Sequence, residues 1–503
     1  MKTYLSSING KMRHDNIPWN ADMMISDLGL KPIFNAMSGG DDFLLKNSIN
    51  FVLNGSISID EIMYRQEILK DLINNEETAR KIYKNALEFT TKAKKQLFWF
   101  SDKDSFSIPA STDILRKFVL YTGELRNIIL RPSIRFLSRG LEKFCRIISE
   151  DFGSEYMENI QKYLDKANFR DSVTLSMALG PGNSGIDYIL HEPFNGKSVK
   201  KIMKDTLEKH YTYVLNERDI NGAAEIEAIK SRGLRKVAIT LTIAARNAIE
   251  FYSDIKSEVG FYLGAINLIK KIKTGSGHIC FPIPRENKEV TFTGLYDLGL
   301  LLSTDVNIVS NCMESKGTEL FIITGTNRGG KSTFLRSMGQ AQLLMQAGIF
   351  VPAETFTANT VSGIYTHFKH EEDGELNRGK FEDELSKMNE IVSHIKKNGM
   401  ILLNESFSST NTREGSEIAM EVTRALLENG MRVFFVSHLY EFASTVVEEV
   451  HNKSLFLVAE RTEDGEHTYR IMPGKPSETG HGMDVYRKIF EVDTNVNLGK
   501  LNG

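Results

Sequence analysis

Cysteine is scarce in this chain: Cys145, Cys280 and Cys312 are the only three. They stand far apart, with neither a metal-ligand spacing nor the makings of a disulfide framework. Isolated thiols of this kind are compatible with a reducing compartment. An excess of one charge is missing as well. Lysine and arginine number 62 against 65 acidic residues, a formal net charge of −3. Bulk electrostatics therefore does not argue for nucleic acid, although a local basic face remains open. No stretch approaches the roughly 18 uninterrupted apolar residues of a membrane span. The opening Met1 to Ser7 has no apolar core of signal-peptide length. The expectation is a cytoplasmic protein with no membrane contact.

Length is what the chain has. Its 503 residues exceed a single core, and about 150 residues per domain suggests roughly three units. Pro18, Pro32 and Gly39-Gly40 punctuate residues 1–40, which read as an N-terminal arm with a short helix around Leu28 to Met37. Residues 41–275 read as nearly all helix. Ile62, Ile68, Leu69 and Leu72 recur at helical spacing. Phe98-Trp99-Phe100 is better read as an apolar helix end than as a base-stacking platform. Residues 111–150 set Arg116, Lys117, Arg126, Arg131, Arg135, Arg139, Lys143 and Arg146 against Asp113, Glu124, Glu142 and Glu150. This is either a surface for a phosphate backbone or, more simply, a solvated helix face. The run Gly180 to Gly185 marks a loop or hinge within the helices. From Lys236 to Lys273, Ile249, Tyr252, Ile255, Val259, Tyr262, Ile266 and Ile269 form one apolar stripe. Such a helix packs along a neighbour or acts as a lever between domains.

The periodicity changes near Thr274 to Gly277. Short apolar runs at Ile279–Ile283, Val290–Phe292, Val306–Val309 and Leu320–Ile323 then alternate with helical stretches. Further strands are expected at Ile349–Pro352, Met400–Leu403, Val433–Val436 and Ser454–Val458. Helices are expected over Ser332–Ala347, Gly379–Lys397, Gly415–Glu428 and Asp484–Phe490. Alternation of this kind predicts a largely parallel sheet with ligand loops at the strand C-terminal ends.

One of those turns carries chemistry. Gly325, Thr326, Asn327, Arg328, Gly329, Gly330, Lys331, Ser332 and Thr333 lie between an apolar strand and a helix and fit G-x-x-x-x-G-K-[ST]. Glycines let the backbone N–H groups turn inward on a triphosphate, and the helix start adds partial positive charge. Lys331 would reach the β- and γ-phosphates, and the Ser332 hydroxyl would bind Mg²⁺. The partner strand Met400–Leu403 ends in Asn404-Glu405 where Asp-Glu would be expected. Asn404 keeps an acceptor oxygen for Mg²⁺ without the charge, while Glu405 stands where a general base activates water. A third strand runs into His438, placed to hydrogen-bond a γ-phosphate or the attacking water.

Together these motifs resemble the MutS family within the ABC-type ATPases. Thr324 to Arg336 is similar to the family's T-G-P-N-M-G-G-K-S-T-x-L-R, and Gln346 to Ala353 to its Q-x-G-x-F-V-P-A. Asn404 to Gly415 occupies the place of D-E-x-G-R-G-T-S-T-x-D-G, His438 that of its T-H histidine, and Gly482 to Val485 looks like its closing G-I-x-V. Tyr64 to Ile68 looks like the start of the family's core helices. The resemblance implies a multidomain chain: a helical core, lever and possible clamp over 41–275, then an α/β P-loop ATPase of ABC type over 276–503.

It further implies a homodimer with ATP and Mg²⁺ sandwiched between one copy's phosphate loop and the other's signature helix. That helix would begin near Asn377, with Gly379 and Lys380 where the family usually has Ser-Thr. The levers would pass closure to a DNA clamp, on branched or distorted duplex. Mismatch-reading relatives carry Phe-x-Glu, which occurs nowhere in this chain, so the mismatch-recognition domain is expected to be absent. Two other readings are a slow nucleotide switch that scaffolds partners, motivated by Asn404, and a ribosome- or RNA-binding ATPase.

Overall fold

Side-chain periodicity of about 3.6 over the first half of the chain and blocks of buried β-branched and aromatic residues over the second give two kinds of architecture. The computed structural model describes residues 2–10, 17–98, 108–132, 135–167, 173–191, 214–216, 218–274, 277–369, 379–449, 453–462 and 466–475. Helices in chain order are α1 (Ala21–Asp27), α2 (Lys31–Ser38), α3 (Asp42–Leu53), α4 (Ile59–Asn74), α5 (Glu76–Phe98), α6 (Ile108–Ile129), α7 (Arg139–Arg146) and α8 (Ser154–Lys166). They continue with α9 (Ile220–Thr274), α10 (Leu298–Ser303), α11 (Lys331–Ala347), α12 (Lys380–His394), α13 (Thr412–Glu428) and α14 (Tyr440–Glu449). Strands are β1 (Thr174–Leu179), β2 (Gly185–His191), β3 (Ile283–Arg285), β4 (Glu289–Leu295), β5 (Asn311–Lys316), β6 (Leu320–Thr324), β7 (Thr355–Asn359), β8 (Ile364–Phe368), β9 (Met400–Asn404), β10 (Arg432–Val436), β11 (Ser454–Arg461) and β12 (His467–Pro473). Trp99, Phe100, Asn377, Arg378 and the expected motif and helix between Gly482 and Phe490 lie outside the described residues.

The chain divides into two compact units, one of Met1–Tyr4, Glu77–Leu137 and Leu141–Val259, the other of Leu5–Glu76, Ser138–Gly140 and Gly260–Gly503. The first is held by aromatic packing. The Phe89 and Tyr252 rings lie 4.3 Å apart and Phe118 meets Phe152 edge-on at 5.6 Å. Tyr252 is fully buried, and its hydroxyl shares a 3.1 Å hydrogen bond with Thr122.

Part of the basic run is occupied within this unit. Arg116 donates to the Leu164 carbonyl at 3.1 Å, and Lys117 pairs with Asp113 one turn away at 2.6 Å. The reading of residues 41–275 as nearly all helix is interrupted at β1 and β2. These pair antiparallel from Thr174↔His191 to Leu179↔Gly185, so the expected hinge is a hairpin turn. Gly182 sits in it at φ 68°, a left-handed conformation that glycine adopts without strain. Short flanking runs with a tight turn favour local pairing over helix.

In the second unit, residues 5–76 pack with the sheets. Arg65, 1% exposed, donates from Nε to the Ser6 carbonyl at 2.8 Å and from Nη1 to the Ala347 carbonyl at 3.2 Å. Gln66 Nε2 reaches the Pro282 carbonyl at 3.0 Å. The helix expected around residues 28–37 is α2, and a further helix, α1, precedes it, the two separated where Gly29 takes φ 60°.

A six-stranded sheet, ordered β12-β11-β6-β10-β9-β8, forms the centre. All its neighbours run parallel except β12, antiparallel to β11. Its inner strands β6, β9 and β10, covered on both faces, read as continuous apolar runs. Leu320, Ile322, Ile401, Leu403, Val433 and Phe435 pack with Met388, Ile391, Ala419, Met420 and Phe442. On the alternate positions Phe321 and Phe434 stack at 4.2 Å, each burial contributing about 1.5–3 kcal/mol. A second sheet is ordered β3-β7-β4-β5.

Some of these elements depart from expectation. Val306–Val309 is not a strand, the pairing beginning at Asn311, while β7, β8, β12 and α14 were not anticipated. Ile349–Pro352 contributes only the isolated bridge between Cys280 and Val351. Its residues are fully buried connection, apolar because of packing rather than pairing.

Candidate functional site

Strands β6, β9 and β10 are neighbours in one parallel sheet, so the loops at their C-terminal ends converge. The Gly325–Thr333 loop leaves β6 and opens α11. Its glycines are required by shape. Gly325 has φ 123°, and a Cβ there would lie 2.9 Å from Ala459 Cβ; one on Gly330, at φ 89°, would lie 3.0 Å from the Tyr469 carbonyl oxygen. Arg328 takes the left-handed φ of 62° that most side chains avoid. Asn327 and Arg328 are exposed, Thr326 and Gly329 are buried, and Ser332 and Thr333 are half-buried.

Lys331 is 4% exposed. Its Nζ donates to the Gly325 carbonyl at 3.0 Å and the Thr326 carbonyl at 2.8 Å, spanning its own loop. Burial holds the ammonium below its ordinary range, opposed by the charge of Glu405. One residue on, Ser332 Oγ donates to Asn404 Oδ1 at 3.0 Å, joining the loop to the end of β9. Two neutral oxygens thus face one another where a hard cation would need them. Among the described residues no group of three or more His, Cys, Asp and Glu side chains is placed to hold a metal ion.

Glu405 follows at φ 57°, its N–H bound to the Val436 carbonyl at 2.9 Å. Its Oε1 lies 3.0 Å from Nε2 of His438. That hydrogen bond is the largest influence holding the carboxyl below the ordinary carboxylate range, with Lys331 and Lys369 adding to it against burial. A carboxylate only accepts, so the bond assigns the donated proton to Nε2.

The structure therefore brings Lys331, Ser332, Asn404, Glu405 and His438 together. Gly379 and Lys380 are exposed at the start of α12. Gly379 is the N-cap, at φ −62° and ψ 144°. Sequence reasoning also missed groups that only folding delivers. Thr326 Oγ1 lies 3.3 Å from His467 Nδ1 on β12, some 141 positions away. Another is a buried cluster of His367, Glu384 and Ser406 behind the Glu405 turn. No local motif marks either.

Two families match the chain, the MutS2 N-terminal domain over residues 57–275 and MutS domain V over residues 321–497. The chain belongs to the MutS family. The DNA mismatch repair protein MutS of Halothermothrix orenii is 33% identical over 168 residues, covering 33% of this chain and 18% of that protein. The MutS protein of Thermus aquaticus is 33% identical over 169 residues, 33% of this chain and 20% of its own length. That of Lactobacillus johnsonii is 24% identical over 291 residues, 56% of this chain and 33% of its own. The chain thus matches between about a fifth and a third of the length of these MutS relatives. No helix among the described residues is long and apolar enough to cross a membrane.

Proposed function

We propose that this MutS-family chain is a Mg²⁺-dependent ATPase that works as a homodimer and couples ATP binding and hydrolysis to a helical clamp on DNA. The observation that carries the reading is the convergence of Lys331, the Ser332–Asn404 pair and the Glu405–His438 pair at the ends of three adjacent strands. The Gly325–Thr333 backbone and Lys331 would cradle the phosphates. Ser332 and Asn404 would supply oxygens to Mg²⁺, which, bound with ATP, offsets charge on the phosphates. Glu405, kept ionised and oriented by His438, would accept a proton from the attacking water.

In this reading Gly379 and Lys380, exposed on α12, would complete the nucleotide site of a second copy, Lys380 acting as a point charge on its γ-phosphate. The functional division proposed with it is an N-terminal arm over residues 1–40 and a lever and clamp region over 41–275 ahead of an ATPase region over 276–503, a division by role that differs from the two compact units. Branched or distorted duplex is the proposed DNA.

A second reading has a specific observation behind it. Asn404 offers an uncharged oxygen at the metal position, 3.0 Å from Ser332, which suits a slow nucleotide switch that scaffolds partners. The deciding experiment uses the purified full chain. ATP binding lost in Lys331→Ala and steady-state turnover lost in Glu405→Gln are expected, with light scattering reporting an ATP-dependent dimer. Capture assays against branched DNA, plain duplex and ribosomes then identify the load. Retention by ribosomes alone would overturn the DNA reading in favour of an RNA partner, and wild-type turnover indistinguishable from background would favour the switch.

A further inference from the structure

Behind the Glu405 turn lies a buried side-chain cluster that the nucleotide chemistry does not use. Glu384, on the second turn of α12, is 7% exposed. Its Oε1 accepts the backbone N–H of Phe407 at 2.5 Å, and its Oε2 has no hydrogen-bond partner among the described residues. That acceptor satisfies a buried backbone N–H that an apolar side chain would leave unpaired. What that bond holds is unusual. Phe407 takes φ 64° and Glu405, two residues earlier, φ 57°, each a conformation that costs a non-glycine residue on the order of 1–3 kcal/mol and persists only where its surroundings enforce it.

His367, at the end of β8, closes the cluster. Its Nε2 faces the Glu384 carbonyl oxygen at 3.2 Å and its Nδ1 the Ser406 hydroxyl at 2.7 Å, while the imidazole lies against the Phe407 ring at 6.0 Å between centroids. Ser406 and Phe407 are almost fully buried, 1% and 0% exposed. The turn that presents Glu405 is thus tied on its buried side to α12, the helix that begins at Lys380.

We propose that Glu384 is a positioning residue for hydrolysis: by accepting the Phe407 N–H it holds the 405–407 turn in its left-handed conformation and aims the Glu405 carboxylate, so that a shift of α12 is felt at Glu405. This rests on Glu405 acting as the base. Since α12 starts with Gly379 and Lys380, the same bond gives the state of that helix start a direct physical route to the chemistry of its own subunit.

The test has two arms. In the first, amide hydrogen exchange of residues 405–408 is followed in the intact protein without nucleotide. Glu384→Met, which keeps the volume and loses the acceptor, is expected to exchange at Phe407 at least about tenfold faster than wild type. Glu384→Gln retains an acceptor oxygen and should stay protected. Glu384→Asp, one methylene shorter, should fall between them and serves where the Met variant does not fold. Unchanged protection of Phe407 in both the Met and Asp variants would overturn the proposal.

The second arm measures ATP turnover. A kcat at least about tenfold lower in Glu384→Met, with KM unchanged and rescue in Glu384→Gln, supports positioning. A loss confined to KM, or equal loss in Gln and Met, would overturn it. If Glu405→Gln leaves turnover intact while the exchange arm behaves as expected, it is the role of Glu405 as base that fails, and the tether through Glu384 stands.

Discussion

His438 Nε2 lies 3.0 Å from Glu405 Oε1, and this hydrogen bond is the largest influence holding the carboxyl below the ordinary carboxylate range. The folded-state pKa of Glu405 is depressed, so its ionised form persists as pH falls through the ordinary glutamate value of about 4.3. The associated stability is present above that value and is lost as pH falls through the lower folded one. Removing the donor in His438→Ala is expected to move the acid limb of the turnover profile to higher pH. A pH–rate profile of the two proteins checks this, and coincident acid limbs would remove His438 from the role.

Ser332 and Asn404 meet through neutral oxygens at 3.0 Å. Substituting Asn404→Asp adds the charge that a hard cation favours. The half-saturating Mg²⁺ concentration for turnover is expected to fall about tenfold, on the order of 1.4 kcal/mol, and turnover to rise. A titration of ATPase rate against Mg²⁺ measures it; an unchanged midpoint would mean that residue 404 does not touch the metal.

Arg328 is exposed on the phosphate loop at φ 62°. An added cation there attracts a triphosphate before any metal is bound. In Arg328→Met, ATP affinity without Mg²⁺ is expected to weaken by about three- to tenfold, with a smaller change when Mg²⁺ is present. Calorimetric titration in EDTA supplies the comparison. Equal metal-free affinities would reject the idea.

Gly348 has φ 81°, and a Cβ there would lie 2.5 Å from Arg65 Cβ and 3.2 Å from the Ile62 carbonyl oxygen. Both the strained backbone and the overlap oppose a side chain. Gly348→Ala is expected to destabilise the fold by about 2–4 kcal/mol. Gly379→Ala meets nothing within 4 Å and should change stability by less than about 0.5 kcal/mol. Urea denaturation of both variants tests the contrast.

Much of the central sheet is legible in sequence because β6, β9 and β10 are buried on both faces, which requires unbroken apolar runs. The Gly325–Thr333 loop is legible for a related reason. Its conformation depends on glycines at set positions between a strand and a helix, a local requirement that spacing records. By contrast β8, Ile364–Phe368, carries Thr366 and His367 among its five residues. Its half-polar run resembles a loop until Ser406 and Glu384 supply partners for His367. The hairpin of β1 and β2 was hidden because each strand is mostly exposed and is stabilised by its partner rather than by periodic burial.

By itself, then, the sequence determined the order of helical and α/β regions, the glycine-rich loop and the residue types that end each central strand. These follow from local periodicity and backbone geometry, which act over a few residues. Only the tertiary structure decided that residues 5–76 pack with 260–503, that Arg65 joins Ser6 to Ala347, and that His438 meets Glu405 while Glu384 accepts the Phe407 N–H. Those relations join groups far apart in the chain. Partner choice there is set by which buried polar atoms must be satisfied once the strands have assembled, and no short window of sequence contains that information.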